Sequence, residues 1–231
     1  NLLVIEDAAQ AIGARYKDKY AGTLADIGVF SLNVHKHIQS GEGGVIVTND
    51  DELADRVSLI RNHAEAVVGD KGEENLVNIV GFNFRMTELE AAVSQCQLHK
   101  LTPLLAKRIE YCEYLREKLN SIPALSLPPV RPAATHAYYL QPFLFQAEAA
   151  GVDRDTFLKA VIAELAPTEG DEALGVAMWG GYSKPLYLQP MYQKQIAYGS
   201  DGFPFRGPHY QGNVNYEKGI CPVAERMYEQ E

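Results

Sequence analysis

Short apolar runs in the first part of the chain predict the strands of a sheet. Residues 1–5 form a run with no polar lead-in, which is typical of a strand that is buried on both faces. Two further runs, at residues 28–31 and 45–48, are bounded by glycine or aspartate and predict two more buried strands. This pattern indicates a sheet of the α/β class.

Helical spacing follows the third run. Asn49 or Asp50 can cap a helix there. The apolar positions of this helix fall on one face and are Leu53, Val57 and Ile60. Thr87 and Glu90 have the spacing of a capping box, which opens a longer helix. The first apolar positions of the longer helix are Leu89, Ala92, Val93 and Cys96. Its helical spacing continues toward Pro123, which ends the element.

A proline-rich segment separates this helix from the rest of the chain. Residues 123–132 contain several prolines and precede an apolar run at 137–145, which Pro142 restricts to an edge strand or a bulge. A capped helix is predicted over 153–165. The stretch 180–219 is rich in Gly, Tyr and Pro, which is typical of a long functional or mobile loop.

Both ends of the chain interrupt a predicted element. Residues 1–5 open directly on a strand pattern, and a helix predicted to begin after Pro222 has no stop signal before Glu231. We therefore expect a fragment of a longer protein.

The composition excludes several classes of protein. Hydrophobic residues make up 46% of the 231 residues, so the disordered and fibrous classes are excluded. The 21 Lys and Arg residues against 30 Asp and Glu residues give a formal net charge of −9, without a basic stripe, so nucleic acid and anionic membranes are poor partners. Three cysteines without a CxxC spacing favour a reducing compartment, and no apolar run reaches the roughly 18 residues of a membrane span. We expect a cytoplasmic protein.

Asp7 is a candidate ligand-binding residue. It follows the first predicted strand directly, at the carboxyl end where α/β sheets bind ligands. Asp7 and Gln10 also have the spacing of a capping box for a helix through residues 8–11. The roles of cap and ligand do not exclude each other.

Lys36 is a candidate nucleophile. It lies between the run at 28–31 and the glycine-rich turn 41–44, whose spacing matches neither a dinucleotide fingerprint nor a phosphate-binding loop. A solvated surface charge is the ordinary role of a single lysine. Partial desolvation by strand ends and glycines would instead make its amine a Schiff-base nucleophile. On these residues alone, both roles stay open.

His35 and His37 raise a third possibility, which is a metal site completed by Glu6, Asp7 or Glu42. The sequence has no second cluster with the spacing of metal ligands. We therefore expect no metal.

Three ordered blocks of sequence resemble one family. They are Glu6-Asp7-Ala8-Ala9-Gln10-Ala11, the segment from Phe30-Ser31 through Lys36-His37 to Gly41-Glu42-Gly43-Gly44, and Gly81-Phe82-Asn83-Phe84-Arg85-Met86-Thr87-Glu88-Leu89. Together they are similar to the DegT/DnrJ/EryC1/StrS family of sugar aminotransferases. Looser matches at residues 97–101, 185–192 and 221–225 extend the resemblance over essentially the whole chain.

The resemblance implies a pyridoxal-phosphate enzyme of the aspartate aminotransferase fold type I, which works as a homodimer with shared active sites. It implies a partial large domain over residues 1–107, with a mixed and mostly parallel sheet. Residues 108–231 would then form the linking helix and a smaller α+β domain. The family chain is longer, and its amino-terminal part completes the phosphate site, so we expect the fragment by itself to be inactive.

The family pattern assigns roles to five residues. Lys36 would bind pyridoxal 5'-phosphate covalently and move protons on it, and Asp7 would pair with the pyridine nitrogen of that cofactor. Gln10 would hydrogen-bond the ring oxygen, and Ser31 would hold the phosphate. Asn83 would reach the phosphate of the neighbouring subunit's cofactor.

The resemblance also implies a reaction. An amino group would pass from glutamate or glutamine to a keto or aldehydo sugar, in surface-polysaccharide or secondary-metabolite biosynthesis. A dehydratase branch of the family carries histidine where Lys36 stands, so the lysine favours transamination. Residues 197–205 resemble the branch that aminates the terminal carbon of an eight-carbon keto acid sugar. A sugar dehydratase and a non-catalytic regulatory relative of the same fold remain alternatives.

Overall fold

The chain folds into short strands and helices, which a computed structural model describes for residues 2–64, 79–165, 178–181 and 183–231. The strands are β1 (Ile5–Asp7), β2 (Arg15–Tyr16), β3 (Lys19–Tyr20), β4 (Ile27–Ser31), β5 (Gly44–Val47), β6 (Leu125–Ser126), β7 (Ala134–Thr135) and β8 (Leu144–Phe145). The helices are α1 (Asp51–Arg61), α2 (Glu88–Leu119), α3 (Ala147–Ala150), α4 (Arg154–Glu164), α5 (Pro190–Lys194) and α6 (Pro222–Glu229), with a 3-10 turn at Leu186–Leu188. Within the described ranges, no helix combines the length and the apolar character that a membrane crossing requires.

The first sheet combines a parallel and an antiparallel pair of strands. Its central strand β4 pairs in parallel with β1, where Asp7 lies opposite Val29, and antiparallel with β5. A Cβ atom on Gly28 of β4 would lie 1.8 Å from the carbonyl oxygen of Gly22, so only glycine lets the preceding turn pass this close to the strand. The sheet is mixed, as predicted, but with one parallel and one antiparallel pair it is not mostly parallel within the described residues. Its parallel pair brings the carboxyl ends of β1 and β4 to one edge.

The outer strands of this sheet are less buried than their apolar sequences predicted. Ile5 of β1 is 66% exposed and Ile46 of β5 is 49% exposed, so the prediction of strands buried on both faces is wrong for β1 and β5. Each of these strands has a neighbour on one side only within the described residues. An apolar sequence shows only that a strand is suited to a buried position. The strand is buried only where other elements pack on its faces. Asn1 lies outside the described residues.

Two helices begin at the caps that the sequence predicted. At α1, the Asp50 carboxylate accepts a hydrogen bond from the Leu53 N–H at 3.0 Å. At α2, the Thr87 N–H donates to Glu90 Oε2 at 2.9 Å, and the Glu90 N–H donates to Thr87 Oγ1 at 3.2 Å. These bonds satisfy N–H groups that have no partner within the helix. Both predicted helix starts are confirmed.

The apolar positions of the same helices are covered only in part: Leu53, Val57 and Ile60 of α1 are half-buried. The buried residue of α1 is Leu59, which lies beside the predicted stripe. In α2, Leu89 is 81% exposed and Val93 is 46% exposed. The apolar positions at the start of α2 are therefore left largely uncovered within the described residues.

Two compact units divide the chain. One unit contains residues 1–117 and 129–141, and the other contains residues 118–128 and 142–231. The domain division predicted at residue 107 falls within α2 and stays a prediction.

The second unit has a small core between β6, β8 and α4. Ala124, Leu125 and Phe145 are each at most 8% exposed, and the ring of Phe145 stacks on Phe157 of α4 with 4.7 Å between the centroids. The Asp153 carboxylate accepts from the Thr156 N–H at 2.9 Å, so the capped helix predicted over 153–165 is confirmed.

The stretch 180–219 consists of turns and irregular segments around α5 and the 3-10 turn; Tyr182 lies outside the described residues. The Tyr187 hydroxyl donates to the carboxylate of Glu225 in α6. Glu225 is 6% exposed, and its carboxylate also accepts from the Gly219 N–H at 2.6 Å. Burial and the bond to Glu225 raise the pKa of Tyr187 to about 12. The helix predicted after Pro222 is confirmed as α6, and this contact ties it to the 3-10 turn.

Residues 129–141, here called the return segment, belong to the first unit. β7 in this segment pairs antiparallel with β2. Tyr138 is 3% exposed, and its hydroxyl donates to Glu113 of α2. Arg108 of α2 donates to the Tyr138 carbonyl at 3.0 Å. The apolar run predicted as an edge strand or bulge forms a strand only at β8, because its first half is held against α2 instead.

Replacing Thr87 with valine should lower the free energy of unfolding by about 1 kcal/mol, because the capping oxygen is lost while the size of the side chain is kept. Thr87→Ser keeps the oxygen and is the matched control. Urea unfolding followed by circular dichroism measures both variants. Equal midpoints for the two variants would show that the capping box adds no stability.

Burial and the hydrogen bond to Glu113 raise the pKa of Tyr138 to about 12, against an ordinary value of about 10. The folded chain therefore keeps the phenolic proton at a pH where the unfolded chain releases it. Stability that is present below about pH 10 should decline as the pH rises toward 12. Tyr138→Phe should make the decline shallower in urea unfolding between about pH 9 and 11, and Tyr111→Phe, at an exposed position of α2, should not. A decline of equal slope in both variants would contradict this origin.

Candidate functional site

The candidate site lies at one edge of the first sheet. Asp7 is the last residue of β1 and Ser31 is the last residue of β4. Because these strands are parallel neighbours, their last residues lie at the same edge, where open α/β sheets bind ligands. The loop 32–43, which carries Lys36, begins directly after Ser31. Three of the five predicted site residues therefore come from this edge or the loop that leaves it.

Asp7 is exposed, and its side chain is held by the backbone that follows it. Asp7 Oδ1 accepts a hydrogen bond from the Ala9 N–H at 3.1 Å. The Ala11 N–H donates to the Ala8 carbonyl at 2.9 Å, which closes a turn. The prediction of a helix through residues 8–11 is wrong. The Asp7 carboxylate accepts from the N–H of Ala9, two residues later, which forms a local turn and does not cap a helix. Gln10 lies exposed in this turn.

The loop 32–43 is anchored at both ends. The Leu32 N–H donates to the Gly43 carbonyl at 2.9 Å, and the Ser40 N–H donates to the Leu32 carbonyl at 3.0 Å. Leu32 and Ile38 are 3% and 2% exposed. Ser31 Oγ accepts from the Asn33 N–H at 3.2 Å. Buried apolar anchors and short backbone bonds thus give the loop one defined path.

Lys36 is half-buried in this loop. Its backbone N–H donates to the Asn33 carbonyl at 2.9 Å. Its ammonium nitrogen lies 4.4 Å from the centroid of the Tyr139 ring, within the range of a cation–π interaction. Lys36 is therefore packed against the return segment and is not a fully solvated surface charge.

His37 binds the same segment. Its Nε2 lies 2.7 Å from the Ala137 carbonyl oxygen, and since a carbonyl only accepts, Nε2 carries the proton. Burial lowers the pKa of His37, and the charges of Arg108 and Lys36 act in the same direction, while the bond to Ala137 opposes them. The ring is therefore favoured in its neutral form.

The metal site considered for His35 and His37 has no matching cluster in the structure. The ring of His37 is bonded to Ala137. Within the described part of the chain, no group of three or more His, Cys, Asp and Glu side chains could hold a metal ion.

Asn83 lies on the segment between α1 and α2. It forms an isolated bridge with Asn62, and the Phe82 N–H donates to the Ile60 carbonyl at 2.7 Å. These bonds fix the segment to the end of α1. The Asn83 side chain is exposed and belongs to a different segment from the sheet edge.

Sequence reasoning missed the return segment as part of the site. Tyr138 and Tyr139 fall in an apolar run that was interpreted as a strand, and nothing near them in sequence points to Lys36. The one signal was the pair of adjacent tyrosines at the start of this run. The contact of Tyr139 with Lys36 spans about a hundred positions, like the bond from His37 to Ala137, whose separation is 100.

Residues 1–215 match the DegT/DnrJ/EryC1/StrS aminotransferase family. A GDP-perosamine synthase of Caulobacter vibrioides is 34% identical over 193 residues, which cover 83% of this chain and 48% of that protein. The spore coat polysaccharide biosynthesis protein SpsC of Bacillus subtilis is 28% identical and covers 93% of this chain and 54% of its own. The chain thus spans about half the length of the curated relatives it matches.

Solved structures share the fold. A DegT/DnrJ/EryC1/StrS aminotransferase of Brucella abortus covers 99% of this chain and 50% of its own, with a TM-score of 0.69 at 23% identity. An Escherichia coli GDP-4-keto-6-deoxy-D-mannose-3-dehydratase, solved with bound hydrated PLP, covers 71% of this chain and 44% of its own, with a TM-score of 0.60 at 26% identity. The aspartate aminotransferase fold type I predicted from the sequence is confirmed, and pyridoxal 5'-phosphate (PLP) is the cofactor that this kinship implies. The chain belongs to the DegT/DnrJ/EryC1/StrS aminotransferase family.

Proposed function

We propose that this chain is part of a PLP-dependent aminotransferase that transfers an amino group from glutamate or glutamine to a keto or aldehydo sugar. One observation carries the proposal: Lys36 is a half-buried amine on the loop that leaves β4 at the edge where β1 ends with Asp7. An amine nucleophile and a carboxylate for the ring nitrogen are the two groups that this chemistry requires.

The residues at the sheet edge fit PLP by their chemistry. The cofactor has an aldehyde, a basic ring nitrogen, a ring oxygen and a phosphate. The chain offers an amine at Lys36, an exposed carboxylate at Asp7, an exposed amide at Gln10 and a hydroxyl at Ser31. Each of these groups complements one polar group of the cofactor.

The chain's own residues would divide the work as follows. Lys36 would hold the cofactor through its amine, which condenses with the aldehyde and releases the aldehyde oxygen as water. Once the amino group of a substrate has displaced it, the Lys36 amine would be placed to take and return a proton at the reacting carbon. The Asp7 carboxylate would accept a hydrogen bond from the protonated ring nitrogen and stabilise its positive charge. Ser31 would donate its hydroxyl proton to a phosphate oxygen, and Gln10 would donate an amide proton to the ring oxygen. When bound, PLP supplies an electron sink for the carbanion.

The names of the relatives support the substrate class. They include a GDP-perosamine synthase and a spore coat polysaccharide biosynthesis protein. We propose a nucleotide-linked sugar or an eight-carbon keto acid sugar as the acceptor, in the biosynthesis of a surface polysaccharide or a secondary metabolite. Residues 197–205, which the family pattern links to the eight-carbon acceptor, form turns with a bridge between Tyr198 and Phe203.

We also propose that the protein acts in the cytoplasm as a homodimer with shared active sites. Asn83 supports this arrangement, because its side chain is exposed and so is open to a second subunit. Its role would be to donate a hydrogen bond to the phosphate bound by that subunit.

A sugar dehydratase is the second candidate function, since a dehydratase shares the fold. It predicts a keto-deoxy product without net transfer of an amine. A regulatory relative is the third, because one relative, 31% identical, is named as a sensory transduction protein of erythromycin biosynthesis. Activity with glutamate and a keto sugar would eliminate both.

Substitution Lys36→Ala in the full-length protein should abolish the visible absorbance of the lysine-bound cofactor and reduce transamination to background, because the nucleophile is removed. His35→Ala, which changes an exposed neighbour in the same loop, is the control and should keep both. Dialysis against a chelator should leave the activity unchanged. An unaltered spectrum in Lys36→Ala would refute the role of Lys36.

Substitution Asp7→Asn should lower kcat/KM by about 10- to 100-fold, because losing a charge-assisted hydrogen bond costs roughly 1.5–3 kcal/mol. The Asp51→Asn variant, at an exposed position in the first turn of α1, controls for the change of net charge. Steady-state kinetics with glutamate as donor measures both variants. If both variants kept the parent's kcat/KM, Asp7 would have no part in tuning the cofactor.

A further inference from the structure

The return segment contains a strained turn. Tyr138 has a φ of +49°, in the left-handed region that brings Cβ close to the following carbonyl oxygen. This backbone is sterically costly for a bulky residue, and it persists only where the surroundings enforce it. Such strain concentrates at functional sites.

Three contacts enforce the turn. The Tyr138 N–H donates to His136 Nδ1 at 2.8 Å, and Arg108 of α2 donates to the Tyr138 carbonyl at 3.0 Å. The Tyr138 hydroxyl donates to Glu113 of α2. Every polar group of Tyr138 thus has a partner, and two of the three partners belong to the same helix.

The strained turn determines where the next side chain lies. Tyr139 is half-buried, and its ring faces the Lys36 amine, with 4.4 Å from Nζ to the ring centroid. The bond from His37 to Ala137 joins the Lys36 loop to the other side of the same turn. The contacts of the turn with α2 therefore fix the position of Tyr139, and the bond from His37 to Ala137 fixes the Lys36 loop next to it.

We propose that Tyr139 is a positioning residue for Lys36, and that the turn 136–139 exists to aim its ring. The face of the ring holds the side-chain nitrogen of Lys36 while that nitrogen is not bonded to the cofactor. Lysine has a long and flexible stem, so an amine without this contact would sample many positions away from the reacting carbon. The proposal rests on the proposed function for the role of Lys36.

The contact can be measured without turnover. Reductive methylation with ¹³C-formaldehyde labels each lysine amine of the full-length, cofactor-free protein, and the ring current of an aromatic face shifts a nearby methyl resonance upfield. The Lys36 resonance, assigned by its loss in Lys36→Arg, should lie upfield of the other lysines. Lys17 and Lys107 lie farther from their nearest rings, at 5.3 and 5.8 Å, and should shift less.

Two pairs of variants separate the ring from the fold around it. Tyr139→Leu should abolish the upfield shift of the Lys36 resonance. Tyr139→Phe should retain it, since only the face of the ring is needed. Arg108→Leu should reduce the shift although Tyr139 is intact, because the turn loses its bond from α2. Lys107→Leu, at the adjacent and exposed position of α2, should retain it.

A Lys36 resonance without an upfield shift in the parent protein would overturn the proposal, and so would a shift that survives Tyr139→Leu. The first measurement needs no change at Tyr139, so a variant that fails to fold does not remove the test. Failure of the proposed function would show instead as an unaltered visible absorbance in Lys36→Ala. The Lys36 resonance does not depend on that result.

Discussion

The parallel pairing of β1 with β4 is the constraint on which the candidate site depends. It places Asp7 and Ser31 at one edge of the sheet and starts the Lys36 loop there. Because side chains alternate along a strand, a slip of one residue in this pairing would turn every side chain of β1 to the opposite face. Glycine is required at position 28 of β4, since a Cβ there would collide with the carbonyl of Gly22.

A second constraint comes from the middle of the chain. α2 holds the return segment through Arg108 and Glu113, and the return segment in turn contacts Lys36 and His37. The surroundings of the proposed nucleophile are thus assembled from three parts of the chain that are distant in sequence. Such non-local contacts depend on the whole of the first unit being folded.

Membership of the DegT/DnrJ/EryC1/StrS aminotransferase family explains why these elements occur together, while the function itself depends on the groups at the site. In this chain those groups are the carboxylate of Asp7, the hydroxyl of Ser31 and the half-buried amine of Lys36. The exposed apolar faces of β1 and of the first turns of α2 belong to the same first unit.

Local signals in the sequence determined the starts of α1, α2 and α4, the strands around the Lys36 loop and the identity of the candidate residues. These features depend on short-range bonds, such as a carboxylate accepting an N–H three residues on. The exposure of Ile5 in β1 and of Leu89, the turn after Asp7 and the contact of Tyr139 with Lys36 were decided by the tertiary structure alone. Burial, and contacts across a hundred residues, are properties of neighbours that a linear pattern does not specify.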